Sequence, residues 1–394
     1  MNNITCENIP NLVSSFVDTL VDFSVSGGLF LPNPVSTSPH NAPDTIITRY
    51  PTPDRLIAIG DLHGDLEKSK QAFKMAGLID DSDRWVGGSS TVVQIGDVLD
   101  RGDDEIKILY FLEKLKHEAQ KTGGKLITMN GNHEIMNIEA DFRYVTRNGL
   151  KEFENWANWF SIGSQIKSLC VGLEKPSDIF YGIPLVCKNV PQEYQYATRA
   201  RIAALRPDGP IARRFLSQNV TVLVIGDSVF VHGGLLKYHV DYGFDRINEE
   251  VKDWINGLMG KFAPAPPYCR GRNSLVWLRK YSNELAKDCD CSALEHVLAT
   301  IPGVKRMIMG HTIQEVGING VCDDRAIRID VGMSKGCING LPEVLEINGN
   351  SGLRILTSNP LYQNKSKAYL DADNKEELAY MFPQYAPKQV EVKA

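Results

Sequence analysis

Asp, His, Asn and Arg side chains gather in five short glycine-bearing clusters: Gly60-Asp-Leu-His-Gly-Asp65, Gly96-Asp-Val-Leu-Asp-Arg-Gly102, Gly131-Asn-His-Glu134, His232-Gly-Gly234 and Gly310-His311. Six of these residues, Asp61, His63, Asp97, Asn132, His232 and His311, are hard or borderline metal ligands. Oxygen and imidazole donors without thiolate suit Mn, Fe or Zn rather than a copper or iron–sulfur centre. Two cations ~3.5–4 Å apart need one group to bridge them, and Asp97 is the candidate. Water shared by two such cations is hydroxide at neutral pH and can attack phosphorus in line, so no covalent protein nucleophile is needed. The chemistry this implies is hydrolysis of phosphate esters.

Taken singly, each residue has a plainer explanation. An isolated loop His is usually no ligand, an Asp after Gly is commonly a turn former, and Arg101 alone could be a surface ion pair. Five clusters that each end a strand-like run, all carrying ligand-type residues, outweigh those explanations. His40, His117, His239 and His296 lack such a setting and are read as ordinary histidines. Gly87-Gly88-Ser89 is read as a plain hairpin turn. His133-Glu134 lacks the fourth-residue histidine of a zinc protease, because that position is Asn137.

The clusters need a sheet to present them. Arg55-Leu-Ile-Ala-Ile59 and Thr91-Val-Val-Gln-Ile95 are almost wholly apolar and read as strands buried on both faces. Glycine then allows a sharp turn that exposes the next ligand at the carboxyl end of the strand, where open α/β sheets bind ligands. Helical spacing over Leu66–Leu78 and again over Ile106–Leu115, with a third strand at Lys125–Met129, gives β-α-β order and parallel strands. A hairpin, Thr221–Ile225 with Val229–Val231, leads to His232, and Arg306–Met309 delivers His311. Ala326–Val331 and Glu343–Ile347 are expected to complete a second sheet. Residues 138–216 read as a helical insertion beside the site, residues 1–50 as an N-terminal extension with a Leu31–Pro39 linker, and residues 361–394 as a polar tail. One catalytic domain over 51–360 is expected, because the motifs must converge.

With 394 residues, 43% hydrophobic and 23% charged, the chain can bury a large core. Its net charge of −5 comes without a dense Lys/Arg block, so nucleic acid is not an expected partner. No apolar run approaches the ~20 residues that span a bilayer, so no membrane association is expected. The first forty residues hold acidic groups and no Lys or Arg, which argues against a signal or transit peptide. Cytoplasm is the expected compartment. The eight scattered cysteines form no CxxC pair and read as reduced thiols, with Cys289-Asp-Cys291 the exception that can oxidise. Redox regulation through cysteines is therefore left open.

The three motifs Gly-Asp-x-His-Gly, Gly-Asp-x-x-Asp-Arg-Gly and Gly-Asn-His-Glu, in this order and spacing, resemble the signature of the phosphoprotein phosphatase (PPP) metallophosphatases over roughly residues 54–350. Within them the chain looks like a Shewanella-like protein phosphatase. Val276-Trp277-Leu-Arg279 and Gly310-His311-Thr312 agree with that placement. The resemblance implies an α/β calcineurin-like metallophosphoesterase β-sandwich of two mixed sheets flanked by helices. It implies that Asp61, His63 and Asp97 hold one divalent ion and that Asp97, Asn132, His232 and His311 hold the other, as Mn or as Fe/Zn. His133 would protonate the leaving alkoxide with Asp100 orienting its ring. Arg101 and Arg279 would grip the phosphoryl oxygens, with Arg270 and Arg272 as competitors for the second place.

Some features depart from the mainstream animal-type relatives. About 100 residues separate Asn132 from His232, more than in those enzymes. Gly-His-Thr replaces their Arg-Ala-His-Gln pattern, and no equivalent of their aromatic toxin-binding loop is found, which implies insensitivity to microcystin and okadaic acid. The implied function is dephosphorylation of phosphoprotein substrates at serine and threonine. Phosphotyrosine specificity and diadenosine-tetraphosphate hydrolysis are the rival activities, although the latter enzymes usually carry Gly-Asn-His-Asp. A non-enzymatic scaffold should have lost a ligand, and none is missing. The mitochondrial intermembrane space is the alternative compartment, since its import route uses paired cysteines and no cleaved presequence.

Overall fold

Eleven strands and ten α-helices make up a computed structural model that describes residues 9–29, 46–173, 177–283, 285–349 and 352–359. The first sheet is built around the apolar runs that precede the motifs. Strands β2 (Leu56–Ile59), β3 (Thr91–Gln94) and β4 (Lys125–Thr128) run parallel. Helices α2 (Leu66–Met75) and α3 (Glu105–Lys121) make the crossovers between them. All four residues of β2 are buried, as a strand covered on both faces requires. Complete burial of Ile57 and Ile59 contributes on the order of 1.5–3 kcal/mol each.

The second sheet runs in the order β1-β5-β6-β7-β9-β8. Its strands are β1 (Arg49–Tyr50), β5 (Val222–Ile225), β6 (Ser228–Val231), β7 (Arg306–Met309), β8 (Asn319–Val321) and β9 (Ala326–Arg328). Its β5–β6 and β8–β9 pairs are antiparallel and the others parallel, and both sheets are mixed, as expected. The two last strand candidates separate, however. β9 joins the second sheet, whereas β10 (Glu343–Ile347) pairs antiparallel with β2 and carries β11 (Leu353–Thr357) on the outer edge of the first. Antiparallel pairing needs no crossover, so β10 can close on β2 directly from the loop after β9. Gly88 and Ser89 do form a turn, but it leads from the short Ile79–Trp85 bridge into β3 rather than joining two adjacent strands of a sheet.

Between α4 (Asn132–Ile138) and β5 the chain is helical, with α5 (Arg147–Ser168), α6 (Gln195–Leu205) and α7 (Pro210–Arg214). Thr146 caps α5 by accepting from the Gly149 N–H. Helix α1 (Ile9–Ser26), within the segment expected as an extension, lies across α5 and α3. The crossing is close because Gly163 offers no side chain: a Cβ there would meet Val21 at 2.7 Å. Val17, Val21 and Val25 are buried, and Asp22 takes the Tyr110 hydroxyl and the Arg214 guanidinium at 2.7 Å each. The remaining helices, α8 (Lys237–Tyr242), α9 (Phe244–Ile255) and α10 (Cys291–Ala299), lie between β6 and β7 in the chain. The Leu31–Pro39 linker, His40 and the 361–394 tail lie outside the described residues. No helix among the described residues is long and apolar enough to cross a membrane.

The cysteine expectation needs correcting. Cys291 is joined not with Cys289 but with Cys322, 31 residues on, so the bond ties the start of α10 to the end of β8. Cys289 is a free buried thiol, and the segment between the two cysteines is a tight turn in which the Cys291 N–H donates to the Cys289 carbonyl at 3.1 Å. Closing a loop of this length stabilises by about 3–4 kcal/mol in the chain-entropy model. Cys322→Ser should lower the denaturation free energy by about that amount, read as a lowered urea midpoint in non-reducing buffer. An unchanged midpoint would show that the bond carries no stability.

Candidate active site

All five clusters meet at the carboxyl ends of β2, β3, β4, β6 and β7. Asp61 follows β2 through Gly60, where a Cβ would collide with the Ile329 carbonyl. Several site residues are held at left-handed φ: His63 (+43°), Asp97 (+55°), Asp100 (+68°), Arg101 (+65°) and His311 (+67°). Such conformations cost on the order of 1–3 kcal/mol each outside glycine and persist only where the surroundings impose them.

The Glu134 carboxylate imposes much of this. It is fully buried and accepts the N–H groups of Gly131 (2.7 Å), Asp97 (2.8 Å), Val98 (2.9 Å) and Leu99 (3.1 Å). It thereby binds the loop after β3 to the first turn of α4. Asp97 in turn accepts the His133 N–H at 3.0 Å.

Each imidazole expected as a metal ligand has a defined orientation. His63 Nδ1 lies 3.0 Å from the Leu99 carbonyl and His232 Nδ1 lies 3.1 Å from the Ile95 carbonyl. A carbonyl only accepts, so each Nδ1 carries the proton and each Nε2 turns its lone pair inward. His232 Nε2 is 3.0 Å from Asn132 Oδ1 and 3.2 Å from Asp97 Oδ2, and His63 Nε2 is 3.7 Å from the same oxygen. His311 Nε2 is buried with no hydrogen-bond partner among the described residues. Its ring stands edge-on to Trp277 at 5.5 Å, and its main-chain N–H donates to Asp61 at 3.1 Å.

The electrostatics call for a cation. Asp61, Asp97 and Asp330 are all buried within this pocket. Burial, with the charges of Asp330 and Asp97, pushes the Asp61 carboxyl well above the usual carboxylate range. Burial also pushes Asp97 up, but the imidazoles of His232 and His133 outweigh it and hold Asp97 well below that range. Two buried ligand groups result, His63–Asp97–His133 and Asp97–His232–His311, with ligand atoms within 4.8 Å of one another and Asp97 common to both. Clustered carboxylates, inward Nε2 lone pairs and the unpartnered His311 nitrogen together fit divalent metal binding.

His133 differs from the other imidazoles. Its Nδ1 lies 2.6 Å from Asp100 Oδ2, a carboxylate rather than a carbonyl. Burial lowers its pKa, but Asp97 and Asp100 outweigh burial and leave it raised. Arg101 stacks over the Tyr144 ring at 4.7 Å, donates its main-chain N–H to the Tyr144 carbonyl, and leaves its Nε buried without a partner among the described residues. Arg279 is brought in by the Gly233 and Gly234 N–H groups, which both bond the Leu275 carbonyl. Its Nη1 donates to Thr312 Oγ1 at 2.9 Å and the His311 carbonyl at 3.2 Å. Arg270 and Arg272 are exposed, and Arg270 faces Glu139 at 3.6 Å. All ten residues expected from the sequence therefore lie in one constellation.

Comparisons with known proteins agree with this geometry. Residues 54–201 match the calcineurin-like phosphoesterase family. Over 390 residues the chain is 64% identical to Shewanella-like protein phosphatase 2 of Arabidopsis thaliana, spanning 99% of this chain and 97% of that one. The chain belongs to the Shewanella-like protein phosphatases. Shewanella-like protein phosphatase 1 of Plasmodium berghei is 28% identical over 286 residues, 71% of this chain and 67% of that one. A solved cold-active protein tyrosine phosphatase shares the fold, with a TM-score of 0.54 at 20% identity over 79% of this chain and 78% of that chain.

This Shewanella-like phosphatase is thus a hydrolase of the metallophosphoesterase type. Four of its site residues escaped the sequence reading: Asp330, Tyr144, Arg201 and, as a clamp, Glu134. Asp330 carried a weaker signal, since it follows the strand candidate Ala326-Ile-Arg-Ile329 as Asp61 follows its own strand. Arg201 carried none, because an arginine in an alanine-rich helix ordinarily faces solvent. Asp97→Asn should lower turnover by at least ~10²-fold while the thermal midpoint stays near wild type, with bound metal falling in parallel. Near-wild-type turnover would remove Asp97 from its central place.

Proposed function

We propose that this phosphatase hydrolyses phosphoserine and phosphothreonine in proteins at a two-cation site. The observation that carries the reading is Asp97, common to two buried groups of ligand-type side chains, one of which contains His133; the Asp100 carboxylate 2.6 Å from His133 Nδ1 marks that imidazole as the proton donor rather than a ligand. A serine or threonine ester leaves as an alkoxide, a poor leaving group that requires a proton, whereas an activated aryl ester needs none. A dedicated proton donor beside the ligand cluster therefore supports alkyl monoesters as substrates.

Asp61, His63 and Asp97 would hold one cation, and Asp97, Asn132, His232 and His311 the other. Manganese, or iron with zinc, suits these donors. Bound divalent cations supply charge neutralisation at the phosphoryl oxygens and acidify water held between them. Arg101 and Arg279 grip the remaining phosphoryl oxygens, where the planar guanidinium matches two acceptors at once. Stacking on Tyr144 holds the Arg101 fork in place before substrate arrives. His133 delivers a proton from Nε2 to the departing oxygen, and Asp100 holds the opposite N–H so that the ring faces the substrate.

Redox control through cysteines belongs to the same proposal, with the Cys291–Cys322 bond in its support. The compartment is proposed as cytoplasmic, with the mitochondrial intermembrane space as the alternative; the Cys291–Cys322 bond supports the alternative, because disulfides persist in oxidising settings.

Purified protein should release phosphate from phosphoserine and phosphothreonine peptides with Mn²⁺ and lose this activity in EDTA. Release from phosphotyrosine peptides alone would reassign the specificity, and cleavage of diadenosine tetraphosphate alone would move the chain to the nucleotide hydrolases. Separately, His133→Ala should keep its metal content yet lose at least ~10²-fold on phosphoserine peptide, with a smaller loss on p-nitrophenyl phosphate. Equal losses on both substrates would rule out the proton-donor role.

A further inference from the structure

The Arg201 side chain, on α6 of the helical insertion, is wholly buried, as are the two carboxylates it meets. Its guanidinium spends every nitrogen on a defined acceptor. Nη1 and Nη2 form a fork on Glu105 at 3.0 and 2.6 Å, Nη2 also reaches Asp100 Oδ1 at 3.0 Å, and Nε donates to Asn137 Oδ1 at 2.8 Å. Phe153 and Phe142 cover it, with ring centroids 4.5 and 5.5 Å from the guanidinium carbon.

Every one of its partners acts on the dyad. Asn137 Nδ2 donates to Asp100 Oδ1 at 2.9 Å and to the His133 carbonyl at 2.8 Å. Glu105 Oε2 accepts the Asp100 N–H at 3.1 Å, which fixes the strained turn that carries Asp100. With Oδ1 occupied by Arg201 and Asn137, Asp100 has only Oδ2 to offer, and that oxygen holds His133.

We infer that Arg201 is a positioning residue for the proton-donating dyad: the insertion helix α6 sets the rotamer of Asp100 and so the aim of His133. The inference rests on the proton-donor reading of His133 proposed above. An isolated buried carboxylate is costly, and two side by side more so. One arginine fork offsets one of the two negative charges and orders both carboxylates at once, which a lysine ammonium, a point charge without the planar fork, cannot do. The metal ligands come from the strand ends of the two sheets, whereas this support comes from the segment that lengthens the chain between Asn132 and His232.

The test is the leaving-group dependence of Arg201→Met, Arg201→Lys and the charge-balanced double variant Glu105→Met/Arg201→Met. The double variant leaves no unpaired charge from the removed fork, so it keeps the question answerable if Arg201→Met fails to fold. Steady-state kcat/KM on phosphoserine peptide and on p-nitrophenyl phosphate is measured along with metal content. A loss of ~10- to 100-fold on the peptide is expected, as for other residues that orient a working ligand, with a much smaller loss on the aryl ester and full metal occupancy. Arg201→Lys should recover only part of the peptide activity. Adding Asp100→Asn to the double variant should cost little more than Asp100→Asn alone. Equal losses on both substrates, or full additivity with Asp100→Asn, would overturn the inference. If His133→Ala itself shows no leaving-group difference, the proton-donor reading fails; if it shows one and the Arg201 variants do not, only the role of Arg201 fails.

Discussion

The Glu134 carboxylate accepts four main-chain N–H groups from two separate segments, and the site takes its shape from that convergence. The first turn of any helix has N–H groups without intrahelical partners, and the tight turn after β3 has the same deficit. Buried and unpaired, each such donor would cost about 1–3 kcal/mol. A single carboxylate with two acceptor oxygens meets four of these needs. A glutamine would present its NH₂ to donors and could not substitute at both oxygens. The clamp fixes the distance between Asp97 and the Asn132–His133 pair, so ligands from two strand ends arrive in one register.

On this frame the polypeptide accepts two further costs. Site residues at left-handed φ store backbone strain, and Asp61, Asp97 and Asp330 share one buried pocket. Neither is explained by folding alone, since both would relax in an ordinary loop. Both follow if the pocket is shaped for cations. The carboxylates then face positive charge instead of one another, and the His63 and His232 protons are already committed to carbonyls. Preorganisation of this kind leaves little rearrangement for metal or substrate to drive.

Much of this was legible in the chain. The apolar runs before Gly60 and Gly96 gave strands because burial on both faces leaves a continuous hydrophobic signature, and the ligands sit where those runs end. The pairing of β10 with β2 was not legible, because antiparallel addition at a sheet edge depends on where a loop returns, not on the local pattern of Glu343–Ile347. The Cys291–Cys322 bond escaped for the same reason: sequence shows the nearby Cys289, whereas bonding depends on where β8 ends. Asp330 also stands at a strand end, as Asp61 does, and could have been found. Arg201 could not, since its chemistry exists only once α6 is laid over Asp100 and Glu105.

That last case separates two ways of making a site. Metal ligands on strand ends are specified locally, by a strand, a glycine and a donor, and so they read directly from the chain. Proton delivery needs a charged group of defined aim in a dry place, and its support must come from elsewhere in the fold. In the proposed mechanism α6 supplies it, and α6 in turn packs on α5, against which α1 docks through Val17 and Val21. The helical layer is thereby tied to the chemistry by one buried guanidinium rather than by proximity. A change in how the insertion packs would reach His133 through Asp100 while leaving Asp61, His63 and His232 where the sheets put them. Metal binding and proton transfer can therefore vary independently in this architecture, although their residues stand within a few ångströms of each other.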